Sequence, residues 1–201
     1  VTPRLVGAAL AVALVLAGCA PSGPAVPTSV PLPASPFAGT SLWLDPQSTA
    51  QKQADEWQEE GDEAAAAALG PITSQPVATW FSGQGANPYA SAERVTTEAA
   101  AQARLPVLVA YHRPGRDCGS YSAGGSSDAE SYLAWVGQLA AGVGDRPALV
   151  VLEPDAIAQA ASGACGDAQQ ADAEYALLGR AVDTLKKQPN VRVYVDAGHA
   201  G

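Results

Sequence analysis

The segment VVLEPDAIA (150–158) sets an apolar run of strand length directly against two acids, Glu153 and Asp155, with Pro154 between them. Comparable residues follow other apolar runs: Trp80 near the end of one, Tyr111 with Arg116 and Asp117 after another, and Asp196 and His199 after a third. Carboxylates crowded near one cleft raise each other's pKa. An acid kept protonated near neutral pH can donate to a leaving oxygen while a second carboxylate guides water, which is the chemistry of glycosidic-bond hydrolysis. An aromatic at the same rim would stack on the apolar face of a sugar. Taken singly, each residue has a plainer role: Asp155 as a helix cap or salt-bridged acid, Trp80 as core. Their convergence on one rim sets them apart.

That rim is defined by the elements that carry these residues. Apolar runs at 40–45 (TSLWLD), 76–81 (PVATWF), 105–112 (LPVLVAYH), 146–153 (RPALVVLE) and 190–198 (NVRVYVDAG) read as five strands. Helical patterns separate them at 48–69, interrupted at Gly61, at 91–104 with Ser91 as N-cap, at about 127–142 and at about 167–188. Uniformly apolar strands alternating with helices predict a parallel sheet covered on both faces, as a β/α barrel or an open doubly wound sheet. In either architecture functional loops lie at the carboxyl ends of the strands, where these acids and aromatics stand. Five strands do not close a barrel, so the sheet is open or further sequence completes it.

Other chemistries fit less well. A net charge of −9 and a pI near 4.5 offer no basic face for nucleic acid. The glycines of GRDCGSYSAGG (115–125) lack the Gly-Lys-Ser/Thr ending that holds a nucleotide. His112 and His199 lack metal-ligand spacing, and Ser120, Ser122, Ser126 and Ser127 have no nucleophile-elbow pattern around them. No metal or cofactor is expected.

The N-terminal 18 residues carry one cation, Arg4, then the apolar stretch LVGAALAVALVLA, and end in small residues at Gly18-Cys19, the layout of a secretory signal. LAGC resembles a bacterial lipobox, in which Cys19 is acylated and becomes the mature N-terminus. Residues 19–36, rich in Pro, Ser and Ala, read as a tether. Of three cysteines, lipidation of Cys19 leaves Cys118 and Cys165 as a pair, permitted by export and contributing about 4 kcal/mol in the chain-entropy model. The reading is therefore an exported protein, held at the outer face of the cell membrane by lipid or secreted.

Three segments, VAYHRPGRDCGSYSAGG (109–125), VLEPDAIA (151–158) and VYVDAGHAG (193–201), resemble successive signatures of glycoside hydrolase family 6, the inverting β-1,4-glucanases and cellobiohydrolases. TWFSGQGANP (79–88) and SLWLDPQSTA (41–50) resemble two further family segments, so the resemblance runs from about residue 37 to the end. It implies a distorted, partly open TIM-like (β/α) barrel, of which residues 37–201 supply the first half to two-thirds. By this resemblance Asp155 is the general acid and Asp117 the neighbouring acid that supports it and helps with water. Tyr111 lies beneath the sugar at the cleavage point, and Trp80 stacks on a more distant glucose. Arg116 orients Asp117, Cys118 and Cys165 form a disulfide that pins the loop, and Asp196 and His199 line the cleft wall. Glu153 is read as structural. Where family members usually carry a serine, six positions after the first aspartate, this chain has Ala123, with Ser122 one residue earlier. The family's proposed base lies beyond the equivalent of Gly201. The resemblance implies a monomer acting on a β-glucan such as cellulose, without a cofactor; the rival readings are a cell-surface glucan-binding lipoprotein without the chemistry, and a solute-binding lipoprotein.

Overall fold

The structure of the chain, a computed structural model, describes residues 38–83 and 87–198. The expected signal (1–18), Cys19, the tether (19–36) and His199 lie outside the described residues. Four strands, β1 (Thr79–Phe81), β2 (Val107–Ala110), β3 (Ala148–Leu152) and β4 (Val191–Val195), form one parallel sheet in the order β1-β2-β3-β4. Strand order follows chain order without reversal. That is the winding of a β/α barrel; a doubly wound sheet reverses direction at a switch point. Among the described residues the sheet does not close, and β1 and β4 stand at its edges.

Helices α1 (Thr49–Glu59), α2 (Glu63–Ala68) and α3 (Gly70–Thr73) precede β1. The first break falls where Gly61 takes φ 82° and Asp62 caps α2 through Ala65 N. Helix α4 (Pro88–Ala101) begins earlier than the sequence reading placed it. Its cap is Asn87, which accepts from Tyr89 N and Ala90 N, with Pro88 at the first helical position, so Ser91 lies inside the helix. Helix α5 (Ala129–Val143) starts from Asp128 and α7 (Ala168–Leu185) from Asp167, each through a capping box. Between β3 and α7 stands α6 (Ala156–Ser162), a helix in a stretch read from sequence as loop. Its alanine-rich composition and the left-handed Gly163 after it were the local signals.

The register explains what is buried. Thr79 pairs with Leu108, Leu108 with Val150 and Val150 with Val193, so these residues share a face with Phe81, Ala110, Leu152 and Val195. That face joins one apolar core with Ala92, Val95 and Ala99 of α4, Tyr132, Val136 and Leu139 of α5, and Leu178, Ala181 and Leu185 of α7. The opposite row runs Trp80, Val109, Val151, Tyr194, and its edge members are 57% and 54% exposed. The sheet is thus not evenly covered on both faces, because the apolar runs conceal an alternation in burial that runs BiBiB along β3. The expected strand at 40–45 is reduced to a single parallel bridge from Leu42 to Leu105. Asp45 ends it by accepting from Gln47 N and, through its carbonyl, from Ser48 N.

Candidate active site

The carboxyl end of β2 leads into Tyr111, whose ring is buried and whose backbone N–H donates to Phe81 O at 3.0 Å. Arg116, 6% exposed, lies with its guanidinium carbon 4.6 Å from the centroid of that ring. It donates to four backbone carbonyls, those of Ser122 (2.6 Å), Ser82 (2.9 Å), Tyr111 (2.6 Å) and Ala123 (3.3 Å). A donor-only side chain with a fixed fork is suited to gathering carbonyls this way. Asp117 and Cys118 follow with φ of 55° and 49°, two consecutive left-handed residues that cost free energy unless the surroundings hold them. The holding groups are Arg116, the Cys118–Cys165 disulfide with Cα atoms 5.1 Å apart, and Ser122 N–H, which donates to Asp117 Oδ2 at 2.8 Å. Arg116 therefore reaches Asp117 through the backbone of residue 122, which it anchors by the carbonyl.

At the end of β3 the two acids part. Glu153, with φ 46° and no exposed surface, accepts from His112 N at 2.9 and 3.1 Å, and burial raises its pKa to about 7. It ties the end of β3 to the segment leaving β2. Asp155, with φ 69°, stands at the N-cap position of α6, yet its side chain makes no capping bond and is exposed. Its backbone N–H donates to Asp196 Oδ2 at 2.9 Å, and Gly198 N–H donates to Asp196 Oδ1 at 3.0 Å. Four of the five non-glycine residues with positive φ among the described residues are Asp117, Cys118, Glu153 and Asp155. Strain is concentrated on the two acid-bearing turns, a hallmark of functional sites.

Tyr111 shows how these turns meet. Its pKa is raised by burial first, then by the negative charges of Asp117 and Asp155, against the opposing effect of Arg116 and a hydrogen bond from Ser122. Two carboxylates from different strand ends thus act on one phenol. Trp80 stands edge-on to the same ring, centroids 5.6 Å apart and planes at 87°, with its own surface open to solvent. The structure brings together Trp80, Tyr111, Arg116, Asp117, Asp155 and Asp196. Two contributors escaped sequence reasoning: Gln159 of α6, whose Nε2 lies 3.3 Å from Asp117 Oδ1, and the buried Arg113, which donates to Gln159. The signal for Gln159 was its place one helical turn after Asp155, visible only once α6 is recognised. Among the described residues no group of three or more His, Cys, Asp and Glu could hold a metal.

The fold and site define a parallel β/α domain whose carboxyl edge presents two loop-borne acids about a buried tyrosine and an open tryptophan. The chain belongs to the glycosyl hydrolases family 6, whose sequence profile matches residues 37–201. It is 41% identical over 167 residues to Endoglucanase 1 of Streptomyces sp. (strain KSM-9), covering 81% of this chain and 42% of that protein. To Endoglucanase 1 of Streptomyces halstedii it is 34% identical over 203 residues, 97% of this chain and 57% of that one. Among solved structures it resembles the endoglucanase Cel6 from Mycobacterium tuberculosis in complex with a methyl-cellobiosyl-thio-cellobioside, with TM-score 0.73 and 36% identity over 83% of this chain and 55% of that one. The chain spans about half the length of these relatives.

Proposed function

We propose that this protein hydrolyses β-1,4-glucosidic bonds in cellulose or related β-glucans with inversion at the anomeric carbon. The observation that carries the reading is that Asp117, held by Ser122 N–H and Gln159, and Asp155, hung from Asp196, stand on the turns leaving the paired strands β2 and β3, with Trp80 open and edge-on to the Tyr111 ring. Asp155, exposed and uncommitted to its helix, protonates the glycosidic oxygen. Asp117, held from two sides, steers water at the cleavage point. Tyr111 lies beneath the sugar at the cleavage point, and Trp80 stacks on a glucose further along. Inversion requires in addition a general base across the cleft from Asp155, with room for a water between the two carboxyl groups. The Pro-rich segment and the signal-like N-terminus support an exported protein, tethered by lipid at Cys19 or released.

Reducing-sugar release from carboxymethyl cellulose by the full-length protein tests the reading. Asp155→Asn is expected to lower the rate by about a hundredfold or more. Proton NMR in the first minutes is expected to show the α-anomer of the product. Release of the β-anomer overturns inversion, and a protein that binds cellulose without releasing sugar overturns hydrolysis in favour of a glucan-binding role.

A further inference from the structure

We propose that Gln159, clamped by Arg113, is a positioning residue that fixes the Asp117 carboxylate. Gln159 Oε1 accepts from Arg113 Nη2 at 2.5 Å, and its Nε2 lies 3.3 Å from Asp117 Oδ1. A carboxamide presents a donor at one end and an acceptor at the other, and rotation of the group by half a turn exchanges them. A guanidinium only donates, so Arg113 forces the oxygen of Gln159 toward itself and leaves the NH2 facing Asp117. Arg113 cannot easily turn away. It is 4% exposed, its Nη1 donates to Pro114 O at 3.3 Å, and its Nε lies 3.6 Å from Glu174 Oε1 on α7.

The result is a relay from Glu174 through Arg113 and Gln159 to Asp117, running beside the Cys118–Cys165 disulfide and joining α7, α6 and the loop after β2. It complements the hold of Ser122 N–H on the other Asp117 oxygen at 2.8 Å. Donors on both oxygens set the torsion of the carboxylate as well as its place. Because α6 begins directly after Asp155 and carries Gln159 one turn later, the same rigid element sets the positions of both acids. A passive core role for Gln159 would require only that Arg113 keep an acceptor. A positioning role requires in addition that a donor face Asp117.

The two roles separate in Gln159→Glu, which keeps an acceptor for Arg113 but turns an oxygen and a negative charge toward Asp117. The inference rests on the proposed hydrolysis for its kinetic arm. On cellulose oligomers, Gln159→Glu and Gln159→Leu are both expected to lower kcat about tenfold or more, with KM within about twofold. Gln159→Glu is expected to keep the wild-type Tm. A Gln159→Glu protein with wild-type kcat overturns the inference. A second arm needs no hydrolysis. In the labelled full-length protein, the Gln159 side-chain amide resonances are expected to move on Asp117→Asn and on Arg113→Met; resonances unmoved by Asp117→Asn overturn the inference whether or not the wild type releases sugar.

Discussion

The backbone N–H of Asp155 donates to the Asp196 carboxylate at 2.9 Å, so the acid at the end of β3 hangs from an acid at the end of β4. Asp155 sits at φ 69°, a conformation that an L-residue other than glycine adopts at a cost, and the bond from Asp196 helps to keep it there. The second oxygen of Asp196 accepts from Gly198 N–H at 3.0 Å, which anchors the carboxylate in its own loop. Both Asp196 oxygens therefore serve backbone amides at the junction of two strand ends.

Asp196→Ala removes the acceptor that holds the Asp155 turn. A displacement of the acid by about 1 Å is enough to cost roughly a hundredfold in rate, so kcat is expected to fall by about that factor. Asp196→Asn keeps one acceptor and is expected to fall between the wild type and Asp196→Ala. Steady-state kinetics on cello-oligosaccharides check the order. Asn performing no better than Ala would show that the charge of Asp196, rather than its acceptor role, is what the site uses.

The buried Glu153 makes stability depend on pH in a direction opposite to that of a salt-bridged acid. Burial raises its folded pKa to about 7, against an ordinary value of 4.5. Its contribution is fully present below pH about 4.5 and is lost as pH rises through about 7, because the folded state resists the charge that the unfolded chain accepts freely. The loss amounts to roughly 3 kcal/mol. Glu153→Gln removes this titration, so the Tm of the variant relative to the wild type is expected to climb between pH 4.5 and 7. Thermal unfolding across that range checks it, and parallel curves for the two proteins would disprove it.

Much of this arrangement was legible in the residues themselves. The four parallel strands lie within the apolar runs, and Asp117, Asp155, Tyr111 and Trp80 stand at the carboxyl edge where β/α topology places functional groups. What escaped had a physical reason in each case. The alternation of β3 is hidden because both of its faces are apolar in composition, although only Ala148, Val150 and Leu152 are fully buried. Helix α6 was missed although Asp155 is a residue of the N-cap type, because its 7 residues are too few to show helical periodicity. Without that helix, Gln159 has no assignable direction. Likewise Arg116 reads from sequence as a partner for the adjacent acid, whereas its bonds go to carbonyls spread from residue 82 to residue 123, a set that only the folded loop brings together.

Arg116 is also the residue whose conservative replacement is most informative. Its fork serves four carbonyls at once while its plane lies over Tyr111. Lysine keeps the charge, but its three donors radiate from a single nitrogen and cannot span that set, and it has no plane to lay over the ring. Arg116→Lys thus endangers the buried bond to the Tyr111 carbonyl and the part-buried bonds to Ser82, Ser122 and Ala123, and slackens the consecutive left-handed turn of Asp117 and Cys118. The expected cost is about 1–3 kcal/mol, seen as a lower midpoint in denaturant unfolding, together with a fall in kcat that exceeds any change in KM. A variant with the wild-type midpoint and kcat would mean that charge alone, and not the geometry of the guanidinium, holds the acid loop. Because Arg116 makes no hydrogen bond or ion pair with the Asp117 carboxylate, a loss of activity in Arg116→Lys would have to travel through Ser122, whose carbonyl Arg116 holds and whose N–H holds Asp117.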